Sequence, residues 1–218
     1  MLPLLSLLGF ALQLAPPTTA PCHNLQDLRT PAVRSNTGLT ASVALHTEDD
    51  HGRNTHLCAA TYDLILSGPA GTPDRRDNLE NSDGPWHRTL SVQIEGFANK
   101  GTQLAVVITE APAPGDLEII LYDTATKTTQ ISFVPGAFLR HLGKACSQTL
   151  HVTATSGTLP VLSTSVTSNC THANSWLIKP AQGTTKTSSL PWPKPLSPTT
   201  KVEPLEPAVA TPEIANSR

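Results

Sequence analysis

Aromatic residues and basic charge are both scarce in this sequence. Only 4% of the 218 residues are Phe, Trp or Tyr, and the formal net charge is −2. The most basic spot, Arg75-Arg76, lies between Asp74 and Asp77, so its charge is neutralised locally. A nucleic-acid-binding domain needs a clustered basic face. We therefore expect no nucleic-acid partner.

Sequence motifs of enzymes are missing as well. The chain contains no Gly-x-Ser-x-Gly nucleophile elbow, no dinucleotide fingerprint and no phosphate-binding glycine loop. The acids Asp49 and Asp50 are adjacent in one loop, whereas glycoside hydrolysis needs two acids placed across a cleft. We expect no cofactor and favour a binding function over catalysis.

No apolar run is long and uninterrupted enough to cross a bilayer as a helix. Residues 1–20 are apolar up to Ala15 and then end in small residues, a pattern typical of a secretory signal peptide; a buried N-terminal segment is the alternative. Residues 180–218 are rich in Pro, Ser and Thr and predict a disordered tail, because few apolar groups offset the entropy of ordering. The sequence thus predicts a secreted or periplasmic protein whose folded domain spans residues 21–179.

Apolar residues alternate with polar ones in the central stretch, residues 89–134. Asn99 and Gly101 suit a tight turn with positive φ, and Asp123 can accept a bond from its own backbone two residues on. Four strand-like segments are separated by such breaks: 89–95, 103–110, 117–122 and 128–134. We predict an antiparallel meander that is covered on both faces, because apolar residues also occupy consecutive positions in it.

The same stretch contains an ordered series of family-like residues: Phe97, Gly101, Leu104-Ala105, Ile119-Ile120-Leu121-Tyr122, Asp123 and Thr124. This series resembles one blade repeat of the TolB-type β-propellers over residues 97–133, although Asn99 and Lys100 stand where the family usually has Pro and Asp. The resemblance implies protein binding and not chemistry. Propellers close with about four to eight blades, and we find no second copy of the repeat. We therefore expect a sandwich or a compact barrel instead.

Two flanking hairpins are predicted to cover the meander, since a single blade-like unit cannot bury its own faces. The first hairpin spans residues 40–66 and the second spans 149–166, with a turn at Gly157. A helical turn is predicted over 135–144, and Trp176 begins a last short strand. The predicted fold is all-β: one small antiparallel domain of two packed sheets, built from hairpins and a meander.

The four cysteines form an even set beside the predicted signal peptide, which favours disulfide bridges. Folding the second hairpin about Gly157 brings Cys146 opposite residues 168–170, so we predict a Cys146–Cys170 bridge. Cys22–Cys58 follows by elimination. Buried free thiols are the alternative.

The loop from His46 to His56 holds the residues best suited to a site. It contains His46, Asp49, Asp50, His51 and His56. Imidazoles beside carboxylates suit zinc, copper, nickel or manganese, and His46, His51 and His56 are the predicted metal ligands if there is a metal. The other interpretation is a solvated hairpin tip.

A second long polar loop, residues 68–86, contains Trp86, which can serve as a core lid or as a ligand platform. We predict a monomeric, non-enzymatic module that binds a protein or glycan through residues 47–55 and 68–85. The alternative is a metal-binding protein or metal-dependent enzyme that uses the His46–His56 loop.

Overall fold

The computed structural model describes residues 28–49, 58–69, 74–84, 90–110, 116–145, 150–164, 174–179, 192–207 and 209–210. These residues form three antiparallel sheets and one α-helix. The prediction of a mostly β, antiparallel fold is confirmed. The number of sheets is three and not two, and none of them closes into a barrel.

The first sheet, sheet A, contains five strands that precede the central stretch: β1 (Leu28–Arg29), β2 (Val33–Arg34), β3 (Thr40–Asp49), β4 (Cys58–Ser67) and β5 (Arg75–Gly84). Strands β2 to β5 pair in chain order, and β1 pairs with β3. The predicted first hairpin is therefore present as β3 and β4. The predicted loop 68–86 is wrong over 75–84, because β5 pairs along the length of β4.

Sheet B is the predicted meander, with strands β6 (Leu90–Ala98), β7 (Gln103–Glu110), β8 (Leu117–Asp123) and β9 (Thr128–Val134) paired in order. Its first turn is a 3-10 turn at Asn99–Gly101, with φ of 50° at Asn99 and 83° at Gly101. In a later turn, Asp123 accepts from the backbone N–H of Ala125 and Thr126 at 2.9 and 2.8 Å. Both turn predictions are confirmed.

After the meander come α1 (Gly136–Ala145) and sheet C, whose first strands are β10 (Leu150–Ser156), β11 (Leu159–Thr164) and β12 (Ser175–Leu177). The side chain of Asp116 accepts from the Gly136 N–H at 2.8 Å and so satisfies one of the free donors at the start of the helix. The predicted helical turn and second hairpin are thus both confirmed.

Sheet B is the middle layer of the molecule, and each of its faces lines a separate core. One core joins it to sheet A through residues such as Val43, Leu64 and Ile120. The other joins it to α1 and sheet C through residues such as Ile119, Phe138 and Leu162. This confirms that the two flanking hairpins cover the meander on opposite faces.

The strap, defined as residues 192–207 and 209–210, runs along the edges of all three sheets. Its two-residue strands are β13 (Lys194–Pro195), β14 (Glu203–Pro204), β15 (Glu206–Pro207) and β16 (Val209–Ala210). They pair with β12, β10, β6 and β2 respectively. The described strap residues are thus edge strands and their connections, while the rest of the tail lies outside the described residues and its disorder stays a prediction. Proline has no backbone N–H to donate to a neighbouring strand. An edge strand tolerates it, because the outer side of such a strand forms no ladder.

The two predicted disulfides fall outside the described residues. Cys22, Cys146 and Cys170 all lie there, and each predicted bridge includes at least one of them. The Cys146–Cys170 and Cys22–Cys58 pairings therefore stay predictions.

Candidate functional site

The outward face of sheet A carries a connected group of polar side chains, which we name the outer array. Its members are His46 on β3, Asp63 on β4, and Arg76, Asn78 and Asn81 on β5. Residues such as Val43, Leu45 and Leu64 fill the core on the opposite face of these strands. The array therefore follows from the strand period of two, which sends alternate residues outward.

Arg76 is the centre of the outer array. Its Nε and Nη2 lie 2.8 and 2.6 Å from Oδ2 of Asp63, and its Nη2 also lies 2.8 Å from Nε2 of His46. Guanidinium can only donate, so the imidazole nitrogen of His46 must accept. The Arg76 side chain nevertheless stays 57% exposed. Its Nη1 group takes part in neither contact and remains available to a further acceptor.

Asn78 and Asn81 extend the outer array along β5. Their side-chain amides bond to each other in both directions, at 3.1 and 3.3 Å. The Asn78 amide also donates to Oδ1 of Asp63 at 3.4 Å. Because each amide keeps further donors and acceptors, this part of the face presents both types of group in a fixed arrangement.

The predicted site residues divide between described and undescribed parts of the chain. His46 belongs to the outer array, and Asp49 is the last residue of β3. Asp50, His51, His56 and Trp86 lie outside the described residues. The register pairs Asp49 with Cys58 and Cys58 with Gly84. Asp49, Cys58 and Gly84 therefore lie side by side at one end of sheet A.

A metal centre at these residues is not visible in the described part of the chain, where no three His, Cys, Asp or Glu side chains come together. His46 is the one predicted ligand whose surroundings are known. Its Nε2 accepts from Arg76, so a metal at that nitrogen would have to displace a cation. A metal site here would need the other ring nitrogen or a rearranged Arg76.

A second polar cluster lies between sheets A and B, where Arg75, Asp77 and Tyr122 meet. The Tyr122 hydroxyl donates to Asp77, and Arg75 bonds Asp77 at 2.6 Å, Tyr122 at 3.0 Å and the Thr124 carbonyl at 3.0 Å. Burial, together with the bond to Asp77, raises the pKa of Tyr122 to about 12. Burial opposes ionisation of Asp77, but the Tyr122 and Arg75 bonds outweigh it and lower the pKa of Asp77.

The groups of this inter-sheet cluster satisfy one another's hydrogen bonds. A phenol with such a high pKa stays protonated, and the Asp77 carboxylate is already occupied by two donors. Neither group is therefore poised to exchange a proton with a substrate near neutral pH. The cluster joins β5 to β8 at the point where the two sheets approach.

Sheets B and C are joined by a contact between Glu95 and His151. Nδ1 of His151 lies 3.3 Å from Oε2 of Glu95. Burial raises the pKa of Glu95, although the nearby His151 and a backbone bond from Val152 oppose the rise. The pair is isolated from the outer array, on another layer of the molecule.

The sequence pattern did not identify four members of the outer array as site residues: Asp63, Arg76, Asn78 and Asn81. Three of them lie in the segment that was predicted to be a loop. The sequence signal for β5 was Leu79, the one residue of this strand in the core beneath sheet A. Its neighbours Asn78 and Glu80 are polar. A single apolar residue in ten is too weak a period for strand prediction.

No described helix is both long enough and apolar enough to span a membrane. Searches with protein-family models, against curated proteins and against solved structures found no match to this chain. The resemblance of residues 97–133 to a TolB-type blade thus stays a prediction.

Proposed function

We propose that the protein is a secreted or periplasmic, non-enzymatic binding module. Its binding surface is the outer array on the outward face of sheet A. The partner is a protein or a glycan. The proposed surface replaces the predicted loop 68–85, because most of that loop is strand β5, whereas most of the predicted loop 47–55 lies outside the described residues.

The fixed geometry of the outer array carries this proposal. Its side chains stand on three hydrogen-bonded strands and hold one another through five bonds, so their positions are set before a partner arrives. A preorganised polar surface loses less conformational entropy on binding than side chains on a mobile loop. Arg76 is both anchored and exposed, which is typical of the arginines that dominate interface energetics.

The chemistry of the array favours binding over catalysis. Asp63 is neutralised by Arg76, and His46 accepts from the same guanidinium. The array holds no hydroxyl or thiol nucleophile, and it lies on an open sheet face. It can hydrogen-bond a partner with both donors and acceptors, and protein surfaces and glycan hydroxyls both fit this pattern.

The test compares the wild-type chain with Arg76→Ala and with Lys194→Ala. The control variant removes an exposed positive charge from the strap at the edge of sheet C. Labelled proteins are applied to a glycan microarray and to immobilised, fractionated extracytoplasmic proteins of the source organism. We expect a saturable partner whose affinity falls about tenfold in Arg76→Ala and stays unchanged in Lys194→Ala.

A partner that binds wild type and Arg76→Ala equally would place the binding surface elsewhere. Signals on the microarray alone would select a glycan over a protein. Metal analysis of the purified chain, before and after chelator treatment, addresses the alternative function through His46, His51 and His56. If the wild-type chain binds stoichiometric metal and the His51→Ala variant does not, the metal-binding alternative is supported and the present proposal is overturned.

A further inference from the structure

Two long strands in the described part of the chain pair with a neighbour on one side only: β5 at the edge of sheet A and β9 at the edge of sheet B. The strap covers part of the other edges, because it pairs with β2, β6, β10 and β12. An open edge exposes unpaired backbone donors and acceptors and can recruit another strand. The two open edges differ in how they are protected.

Strand β5 has the features that keep an edge from pairing. Half of its ten residues are charged: Arg75, Arg76, Asp77, Glu80 and Asp83. Its register with β4 shifts between Tyr62 and Asp63, so Leu79 is an extra residue that forms a bulge. Charged side chains and bulges are the usual means by which proteins block an edge strand.

Strand β9 has neither protection. Its sequence, Thr-Thr-Gln-Ile-Ser-Phe-Val, contains no charge, proline or glycine, and most of these residues favour strands. Its register with β8 runs without a shift from Thr128 to Val134. Such a segment, if left open, is expected to recruit another chain.

The outer flank of β9 is unpaired within the described part of the chain. Among the residues that the structure describes, β9 has no backbone bond beyond its ladder with β8, and its one side-chain bond joins the hydroxyls of Thr128 and Thr126 at the turn. Thr128 and Thr129 are exposed, while Ile131 and Phe133 are half-buried. A strand added at this flank would satisfy the free backbone groups and would cover the remaining apolar surface.

We propose that the occupant of this edge is β9 of a second copy of the chain, paired antiparallel about a two-fold axis. Two copies of an uncharged strand pair without placing like charges opposite each other. A two-fold pairing also uses the same edge on both copies, so it closes at a dimer and leaves no further β9 edge open. The two sheets B then form one continuous sheet.

The strand suggests a register for this pairing. With the axis at Ile131, the middle residue, all seven residues of β9 are paired and Ile131 opposes its own copy. Thr129 then opposes the partner subunit's Phe133, which is a favourable pairing of a β-branched and an aromatic residue. In this register Gln130 lies on the diagonal from Gln130 of the partner subunit, about 7–8 Å away.

The test is the mass of the full chain in solution, measured by sedimentation equilibrium across a wide concentration range. We compare wild type with Gln130→Lys, which places a lysine on the edge and two like charges on the diagonal. Ala125→Lys is the matched control, because Ala125 is exposed in the turn beside β9 and not on its edge. Far-UV circular dichroism and thermal melts check that both variants fold.

We expect wild type and Ala125→Lys to sediment at twice the chain mass and Gln130→Lys at the chain mass. Hydrogen exchange at residues 128–134 should become faster in Gln130→Lys alone. A wild-type chain that stays monomeric at all concentrations overturns the proposal, and so does a folded Gln130→Lys variant that remains dimeric. Because β9 and the outer array lie on different sheets, either result leaves the proposed binding function untouched.

Discussion

The central meander and the strap are both extended chain, yet they are held in place differently. Each strand of sheet B is at least seven residues long, and the sheet as a whole buries apolar side chains on both of its faces. The strap pairs two residues at a time, and its residues 197–199 and 201–204 are exposed. The meander is stabilised by its cores, whereas the strap depends on backbone pairing and a few anchoring contacts.

Two glutamates and one glycine are the anchoring points of the strap. Glu203 accepts from the backbone N–H of Asn99 in the 3-10 turn, and Glu206 accepts from the Asn36 N–H at 3.0 Å. At Gly96 the strap backbone passes so close that an added Cβ would lie 2.2 Å from the Glu206 carbonyl oxygen. An apolar core can therefore hold long strands, whereas a proline-rich segment needs edges that are shaped to receive it.

The largest expected effect comes from cavities on either side of the meander. Ile119 and Ile120 are both 0% exposed and belong to opposite cores. Ile119→Ala and Ile120→Ala should each lower the free energy of unfolding by about 2–5 kcal/mol. Chemical denaturation measures both. Val202→Ala, at an exposed strap residue, is the control and should change stability by less than about 0.5 kcal/mol.

An Ile119→Ala variant as stable as Val202→Ala would contradict the three-layer arrangement. In that case, the face of sheet B toward sheet C would not be a packed core.

A smaller effect is expected at the contact between the strap and β6. Gly96→Ala forces a side chain against the Glu206 backbone and keeps a φ of +151°, so we expect a loss of about 1–3 kcal/mol. Gly157→Ala is the control, because Gly157 also has positive φ but nothing within 4 Å of its added Cβ. It should lose about 1 kcal/mol from backbone strain alone.

Hydrogen exchange separates the two glycine variants further. The Leu205 N–H donates to the Thr153 carbonyl at 2.9 Å and reports on whether the strap is seated. Its exchange should become faster in Gly96→Ala and not in Gly157→Ala. Unchanged exchange in Gly96→Ala would show that the strap does not need the glycine.

The smallest effect concerns the polar cluster between sheets A and B. Tyr122→Phe removes the hydroxyl bonded to Asp77 and should cost about 1 kcal/mol at neutral pH. The pKa of folded Asp77 lies below its ordinary value of 3.8, so its carboxylate adds stability above that pH. This contribution is lost as the pH falls through the folded-state pKa. The variant should therefore lose less stability on acidification than wild type.

Tyr122 should make stability depend on pH in the alkaline range as well. The pKa of Tyr122 rises from 10.0 to about 12 on folding, so the protonated phenol adds stability below pH 10 that disappears as the pH rises toward 12. Urea denaturation at acid, neutral and alkaline pH should show both dependences weakened in Tyr122→Phe. Hydrogen bonds from Thr126 and Ala125 lower the pKa of Asp123 as well. Some acid dependence of stability should therefore remain in both proteins. Identical pH profiles would mean that the two groups do not interact in solution.

The sequence predicted the parts of the fold where local pattern and burial agree. Strands β6 to β9 alternate or are apolar throughout, their turns contain Asn99, Gly101 and Asp123, and all were found. The outer array was predicted only through His46, because a polar side chain on an exposed strand face resembles one on a loop. Which of those side chains meet depends on the register of β3, β4 and β5, which no single segment encodes.

Local sequence pattern was enough to predict that the chain is mostly antiparallel strand and that the meander needs cover on both faces. Apolar periodicity is a local property, and buried area follows from it directly. The strand Arg75–Gly84 and the pairing of the proline-rich strap with the edges of three sheets emerge only from tertiary contacts. Both segments contain too few apolar residues to specify their own conformation. They become ordered because an edge formed by other parts of the chain supplies their hydrogen bonds.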